Sequence, residues 1–164
     1  MDPTGRDFER LVLPLENSLY HAALALCRRE ADALDLVQET LLKAWRGFGG
    51  FDRDLNVRAW LFTILRNAHL DRCRRQRLDP LALDPEEPDP VAPPPPPSRL
   101  EQALPDELLR ALRSLSPAHQ LLVLLCDMEG LSYREIAGVL GCPVGTVMSG
   151  LHNARLRLRD RLKQ

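Results

Sequence analysis

The chain has 164 residues, 45% hydrophobic, 5% aromatic and 27% charged, with a formal net charge of −1. That length suits one ordinary domain or two small ones, and that apolar content excludes a chain disordered as a whole. Leucine and alanine dominate while aromatics are scarce, which favours helices over sheets. The near-neutral total conceals blocks of opposite sign. From Arg66 to Arg77 five arginines stand with one aspartate, and from Asp79 to Ser98 five acids stand with no base. From Val144 onward there are five bases and one acid. Basic blocks of this kind suggest polyanion-binding surfaces. There is no signal peptide and no apolar run approaching about twenty residues, so membrane insertion is not expected and a cytoplasmic, reducing location is.

The first helical stripe combines Phe8, Leu11, Val12, Leu15, Leu19, Ala22, Ala23 and Leu26 at a 3.6-residue period. Pro14 interrupts it and requires a kink or a late start. A second helix is expected over about 30–46, with Leu34, Val37, Leu41 and Ala44 on its buried face and Gly47 through Gly50 closing it. A third, over about 56–75, is expected to bury Trp60, Leu61, Ile64, Leu65 and Ala68. The pattern then stops. Nine of the fourteen prolines fall between Pro80 and Pro97, five of them consecutive, which removes backbone donors and favours an extended segment.

Beyond it, 104–115 and 117–128 read as amphipathic helices. Then comes Ser132-Tyr-Arg-Glu135, a Ser-x-x-Glu capping box opening a helix with Ile136, Ala137 and Leu140 on its apolar face. Gly141-Cys-Pro143 ends that helix, and a last one runs from about 144 to 162, burying Val147, Leu151, Ala154, Leu158 and Leu162. Helix, glycine turn, helix is either a helix-turn-helix that lays its second helix in the major groove or an αα-hairpin packed on its neighbours. The expected fold is all-α: a helical domain over 1–77, an acidic Pro-rich flexible linker over 78–103, and a helix-turn-helix domain over 104–164.

Three surfaces carry possible function. On the second helix Asp35, Gln38, Glu39, Leu42 and Arg46 share a face opposite the apolar stripe; alone, such a face more often meets solvent, and Glu39–Lys43 is an ordinary i, i+4 pair. The third helix gathers Arg66, Arg72, Arg74, Arg75 and Arg77 around Asn67, whose amide can donate and accept toward a base edge. Trp60 and Phe62 supply aromatic surface, which with arginine suits single-strand recognition. On the last helix the groove-facing candidates are Thr146, Met148, Ser149, His152, Asn153 and Arg155, while Arg157, Arg159, Arg161 and Lys163 are placed to reach phosphates. Cys27, Cys73, Cys126 and Cys142 form no C-x-x-C pair. His69 and Cys73 are four apart, but a zinc site needs about four ligands, so no metal and no cofactor is expected. No nucleophile–base set or phosphate loop is present, and an enzyme is not expected.

Asp35-Leu-Val-Gln-Glu-Thr-Leu-Leu-Lys-Ala-Trp45, Arg58-Ala-Trp-Leu-Phe-Thr-Ile-Leu-Arg-Asn67, Ser132-Tyr-Arg-Glu-Ile-Ala137 and Gly145-Thr-Val-Met-Ser149 together resemble bacterial sigma factors. The similar group is the extracytoplasmic-function (ECF) one, which keeps only regions two and four. The resemblance implies a promoter-specificity subunit. Asp35, Gln38 and Glu39, with Leu42 beside them, would dock on the β′ coiled coil of core RNA polymerase. The loop 51–57 and the helix bearing Trp60, Arg66, Asn67, Arg72, Arg74 and Arg75 would melt the minus-ten element and hold a flipped base, at a cost of a few kcal/mol. The helix-turn-helix would read the minus-thirty-five element and touch the β flap, the linker would thread the polymerase cleft, and an anti-sigma factor would hold the protein inactive.

At Met148, Gly150 and Asn153 many members of that group carry arginine or lysine. The expectation here is a nearly neutral groove face, with weak upstream recognition or recognition by Ser149, His152, Asn153 and Arg155. Gly150 is placed on the groove side, at a helix cost of about 1 kcal/mol. Two alternatives differ in class: a sigma-like decoy that sequesters an anti-sigma factor without binding DNA, and a one-component repressor, which leaves the N-terminal motifs unexplained.

Overall fold

The computed structural model describes residues 3–78 and 104–164, and among these there are helices and turns but no strand. The linker expected over 78–103 lies, apart from Leu78, outside the described residues. The first unit runs α1 (Pro3–Leu11), α2 (Glu16–Cys27), α3 (Glu30–Gly47) and α4 (Val57–Leu78). The second runs α5 (Asp106–Arg113), α6 (Pro117–Val123), α7 (Tyr133–Leu140) and α8 (Val144–Leu162).

Pro14 does what its missing N–H and fixed φ require. The first stripe breaks into α1 and α2 around a single 3₁₀ turn, Leu13–Leu15. The stripe stays in register across the break, so Phe8, Val12, Leu15, Leu19, Ala22 and Ala23 are all buried. α2 and α3 pack as neighbours, and α4 lies across both. Leu19, Leu36, Leu61 and Leu65 are almost wholly enclosed there, each contributing about 2 kcal/mol of apolar burial.

The buried face of α3 differs from the expected one. Leu34 is 45% exposed, and the face against α2 and α4 is Ala33, Leu36, Val37, Thr40 and Ala44. Thr40 can sit there because its hydroxyl donates to the Leu36 carbonyl at 2.7 Å, so the polar group is satisfied within the helix. Phe62 also departs from expectation: only 3% exposed, it is core rather than aromatic surface.

In the second unit α6 continues into one π turn, where the Glu129 N–H reaches back five residues to the Leu124 carbonyl at 2.9 Å. The capping box is complete: Ser132 Oγ accepts from the Glu135 N–H and Glu135 Oε1 from the Ser132 N–H, both at 3.1 Å. Gly141 then ends α7 at φ +63°, in the left-handed region that glycine enters freely. Val147, Leu151 and Ala154 anchor α8, whereas Leu162, expected buried, is 45% exposed because the helix has run past its neighbours. The two units touch along two seams, α2 against α6 and α4 against α7.

Candidate polymerase and nucleic-acid interface

The turn between α3 and α4 is built from aromatics. Phe48 and Phe51 stack at 6.0 Å, the Trp60 ring lies 4.5 Å from Phe51, and Phe8 meets Trp45 and Phe48 edge-on. The Arg53 guanidinium sits 4.0 Å over the Phe48 ring and donates from Nη1 to the carbonyls of Phe48 and Phe51. Cation–π contact and two hydrogen bonds fix the loop 51–57 from inside. Half-buried Trp60 is part of that support. Asn56 closes the loop, its Oδ1 accepting from the Arg58 N–H at 2.9 Å as the N-cap of α4.

Along α4 the sequence-predicted arginines separate into different roles. Arg72 Nη1 donates to the Asp32 carbonyl at 3.0 Å, tying α4 to α3. Arg75 reaches Glu39 at 3.4 Å, and Arg74 pairs with Asp71 at 3.5 Å. Asn67 is exposed. Arg66 is half-buried, its guanidinium against the Gly141 turn of the other unit.

On α3, Asp35 and Gln38 are exposed, and Glu39 is half-buried between Lys43 (3.3 Å) and Arg75. Beside them Leu34, Leu42 and Trp45 are 45%, 49% and 49% exposed. At 100° per residue, positions 34, 38, 42 and 45 fall on one stripe with Asp35 and Glu39 at its edge. Leu34 and Trp45 escaped the sequence reading of this face. Assigning Leu34 to the core hid the continuity of the stripe.

On α8, Thr146, Met148, Ser149, His152, Asn153 and Arg155 are all exposed. Ser149 Oγ donates back to the Gly145 carbonyl at 2.8 Å. Arg155 is engaged with its own unit: Nη2 and Nε grip the two oxygens of Asp127 at 2.7 and 3.3 Å, and Nη2 also approaches Cys126 Sγ at 3.5 Å. The Asp127 carboxylate, more than any other group, holds the guanidinium strongly protonated. Gly150, placed on the groove side by the sequence reading, points elsewhere. A Cβ there would stand 2.6 Å from Leu122 Cδ1 of α6, so Gly150 is a packing glycine.

Two family models match this chain: Sigma-70 region 2 over residues 11–78 and Sigma-70 region 4 over residues 106–158. ECF RNA polymerase sigma factor SigM of Mycobacterium tuberculosis is 36% identical over 151 residues, covering 92% of this chain and 74% of that protein. The chain belongs to the ECF sigma factors. It is also 37% identical over 158 residues to ECF sigma factor SigE of Mycolicibacterium smegmatis, covering 94% of this chain and spanning 61% of that relative's length. Among solved structures, the sigma factor RpoE of Bartonella quintana in complex with the anti-sigma factor NepR matches with a TM-score of 0.71 and 33% identity, over 96% of this chain and 98% of that one. CnrH in complex with the cytosolic domain of CnrY matches with a TM-score of 0.62 and 30% identity, over 97% and 89%.

The cysteines of this sigma factor do not converge. Cys27 Sγ lies 4.0 Å from His69 Nδ1 and Cys73 Sγ 3.6 Å from His69 Nε2, so the two sulfurs meet different ring nitrogens. Burial pushes the Cys27 thiol up to about 11 and, with Arg72 nearby, holds the His69 imidazole below its usual value. Among the described residues no group of three such side chains is arranged to hold a metal. No helix among them is long and apolar enough to cross a membrane.

Proposed function

We propose that this sigma factor acts in the cytoplasm, without catalysis of its own, as a promoter-specificity subunit of RNA polymerase. It is built as a region-two domain over 1–77, a linker over 78–103 and a region-four domain over 104–164. Asp35, Gln38, Glu39 and Leu42 dock on the β′ coiled coil. The loop 51–57 and α4 open the minus-ten element, with Asn67 reading a flipped base and Arg66, Arg74 and Arg75 neutralising phosphates while Trp60 and Arg72 hold the helix in place. The α7–α8 pair reaches the minus-thirty-five element and the β flap, and an anti-sigma factor restrains the whole.

The observation that carries this reading is the α3 stripe. Leu34, Leu42 and Trp45 are all close to half exposed beside Asp35 and Gln38. A solvated helix face has no use for three large apolar side chains in one row, whereas an interface with a polar rim does. Nothing comparable favours the decoy; RpoE of Bartonella quintana, held by its anti-sigma factor, is itself a sigma factor. Run-off transcription with purified core polymerase on a genomic library tests the reading. Defined start sites that need the added chain are expected, and none with a chain that still binds core would sink it.

A further inference from the structure

Where α8 leaves the turn after α7, its outer face is apolar. Met148 is 53% exposed, and Val144, the first residue of the helix, is 36% exposed. At 100° per residue Val144, Met148 and His152 form one row, beside the buried row of Val147 and Leu151. Gly145 stands next to that row with open space where a Cβ would be and, lacking a side chain, leaves Met148 uncovered on that side. The polar groups around Met148 are engaged within the protein. Ser149 Oγ donates to the Gly145 carbonyl at 2.8 Å, and Arg155, which follows on the same face, is turned onto both oxygens of Asp127. Farther along α8 the character reverses: Arg157, Arg159, Arg161 and Lys163 are all exposed, with Asp160 among them. One helix thus carries an apolar tip and a cationic stem.

We propose that Met148, flanked by Val144, reads the 5-methyl groups of thymine in the major groove, so that this chain recognises its upstream element through A·T pairs. The proposal rests on the placing of the α7–α8 pair at the minus-thirty-five element. In the groove thymine offers an apolar methyl, whereas guanine offers the O6 and N7 acceptors that arginine or lysine takes. A thioether at position 148 and an Arg155 committed to Asp127 suit the first and not the second. Methionine is unbranched and polarizable, so it moulds to a methyl-lined edge. The cationic stem makes the occupant a polyanion rather than an apolar protein groove. From position 148 to position 157 the helix rises about 14 Å. That carries the stem from the floor of a groove about 12 Å wide to the phosphates along its edge.

Holoenzyme made from the full chain and core polymerase tests this on promoters selected from a random duplex pool by run-off transcription. The upstream element of each selected promoter is then remade with deoxyuridine for thymine, which removes only the methyl. Affinity should fall about fourfold for each methyl that Met148 covers, the worth of one buried carbon. Met148→Leu should keep that sensitivity. Met148→Gln, similar in length and in helix propensity, should bind the thymine and deoxyuridine promoters alike. Met148→Arg should shift selection at one or two upstream positions from thymine to guanine. Selected upstream elements without a shared thymine, or an equal deoxyuridine effect in the original chain and in Met148→Gln, overturn the assignment. Weaker core binding by Met148→Gln with unaltered promoter preference also overturns it, and gives the face to the polymerase. Failure to select any promoter, with core binding intact, defeats the reading of the chain as a promoter-specificity subunit and the proposal with it.

Discussion

Gly150 separates charge reasoning from packing reasoning. By charge, Gly150→Arg should restore a phosphate contact and remove a helix-interior glycine. In the structure a Cβ at 150 comes 2.6 Å from Leu122 Cδ1, about 1 Å inside ordinary carbon contact. Leu122 is itself buried at 7% exposure, so its tip has little room to retreat. Replacing glycine by alanine gains about 1 kcal/mol of helix propensity, while overpacking a filled site costs about 1–3 kcal/mol. Gly150→Ala should therefore fall between neutral and about 2 kcal/mol destabilised, and Gly150→Arg at or beyond the unfavourable end. Urea unfolding followed by helix signal measures both. Leu122→Ala alone should cost about 2–5 kcal/mol, yet combined with Gly150→Ala it should cost less than the sum, with a coupling of about 1 kcal/mol or more. Asn153→Arg is the control: position 153 is exposed, and the log–log salt slope of DNA binding should steepen by about 0.9. A Gly150→Ala variant stabilised by the full helix-propensity gain would refute the packing argument.

Asp127→Asn should release Arg155 toward DNA, steepening the salt slope by about 0.9. It should cost only about 0.5–1 kcal/mol of stability, because both side chains are over a third exposed. Asp35→Lys should weaken core-polymerase binding with an unchanged melting temperature. Glu39→Lys should lower both, since Glu39 also pairs with Lys43 and Arg75; equal behaviour of the two in both assays would contradict the assignment. Asn67→Ala should relax base preference at one minus-ten position by about 1–3 kcal/mol, read from a promoter library. With its thiol raised to about 11 by burial, Cys27 should alkylate near neutral pH at least about a hundredfold more slowly than a free thiol. Mass spectrometry of the labelled protein checks this.

The punctuation of the chain was legible because it is local. Pro14 forced the break between α1 and α2, Ser132 and Glu135 opened α7, and Gly141 closed it. Each is an interaction within about four residues, which spacing alone reveals. The face of α3 was misread because its buried side rests on Ala33 and Thr40, residues that barely register in a hydrophobic pattern, while the conspicuous Leu34 belongs to the exposed stripe. Arg155 looked free because no acid lies within four residues of it in sequence; Asp127, its partner, is 28 positions away. The contact between the units was invisible for the same reason, Asn56 and Glu135 being 79 positions apart.

The Glu135 carboxylate makes that contact testable by acid. The Ser132 N–H, and then the Asn56 amide, hold its pKa below the ordinary value. A carboxyl whose folded pKa is depressed adds stability that is fully present above its unfolded pKa, about 4.3, and is lost as pH falls through the lower folded value. The capping box and the link to Asn56 therefore share one titration. The stability of the chain to urea should hold constant from neutral pH down to about 5 and then fall in the acid range. In Glu135→Gln, whose amide does not titrate, that acid step should shrink. An acid step of equal size in both proteins would show that the lost stability belongs to another group.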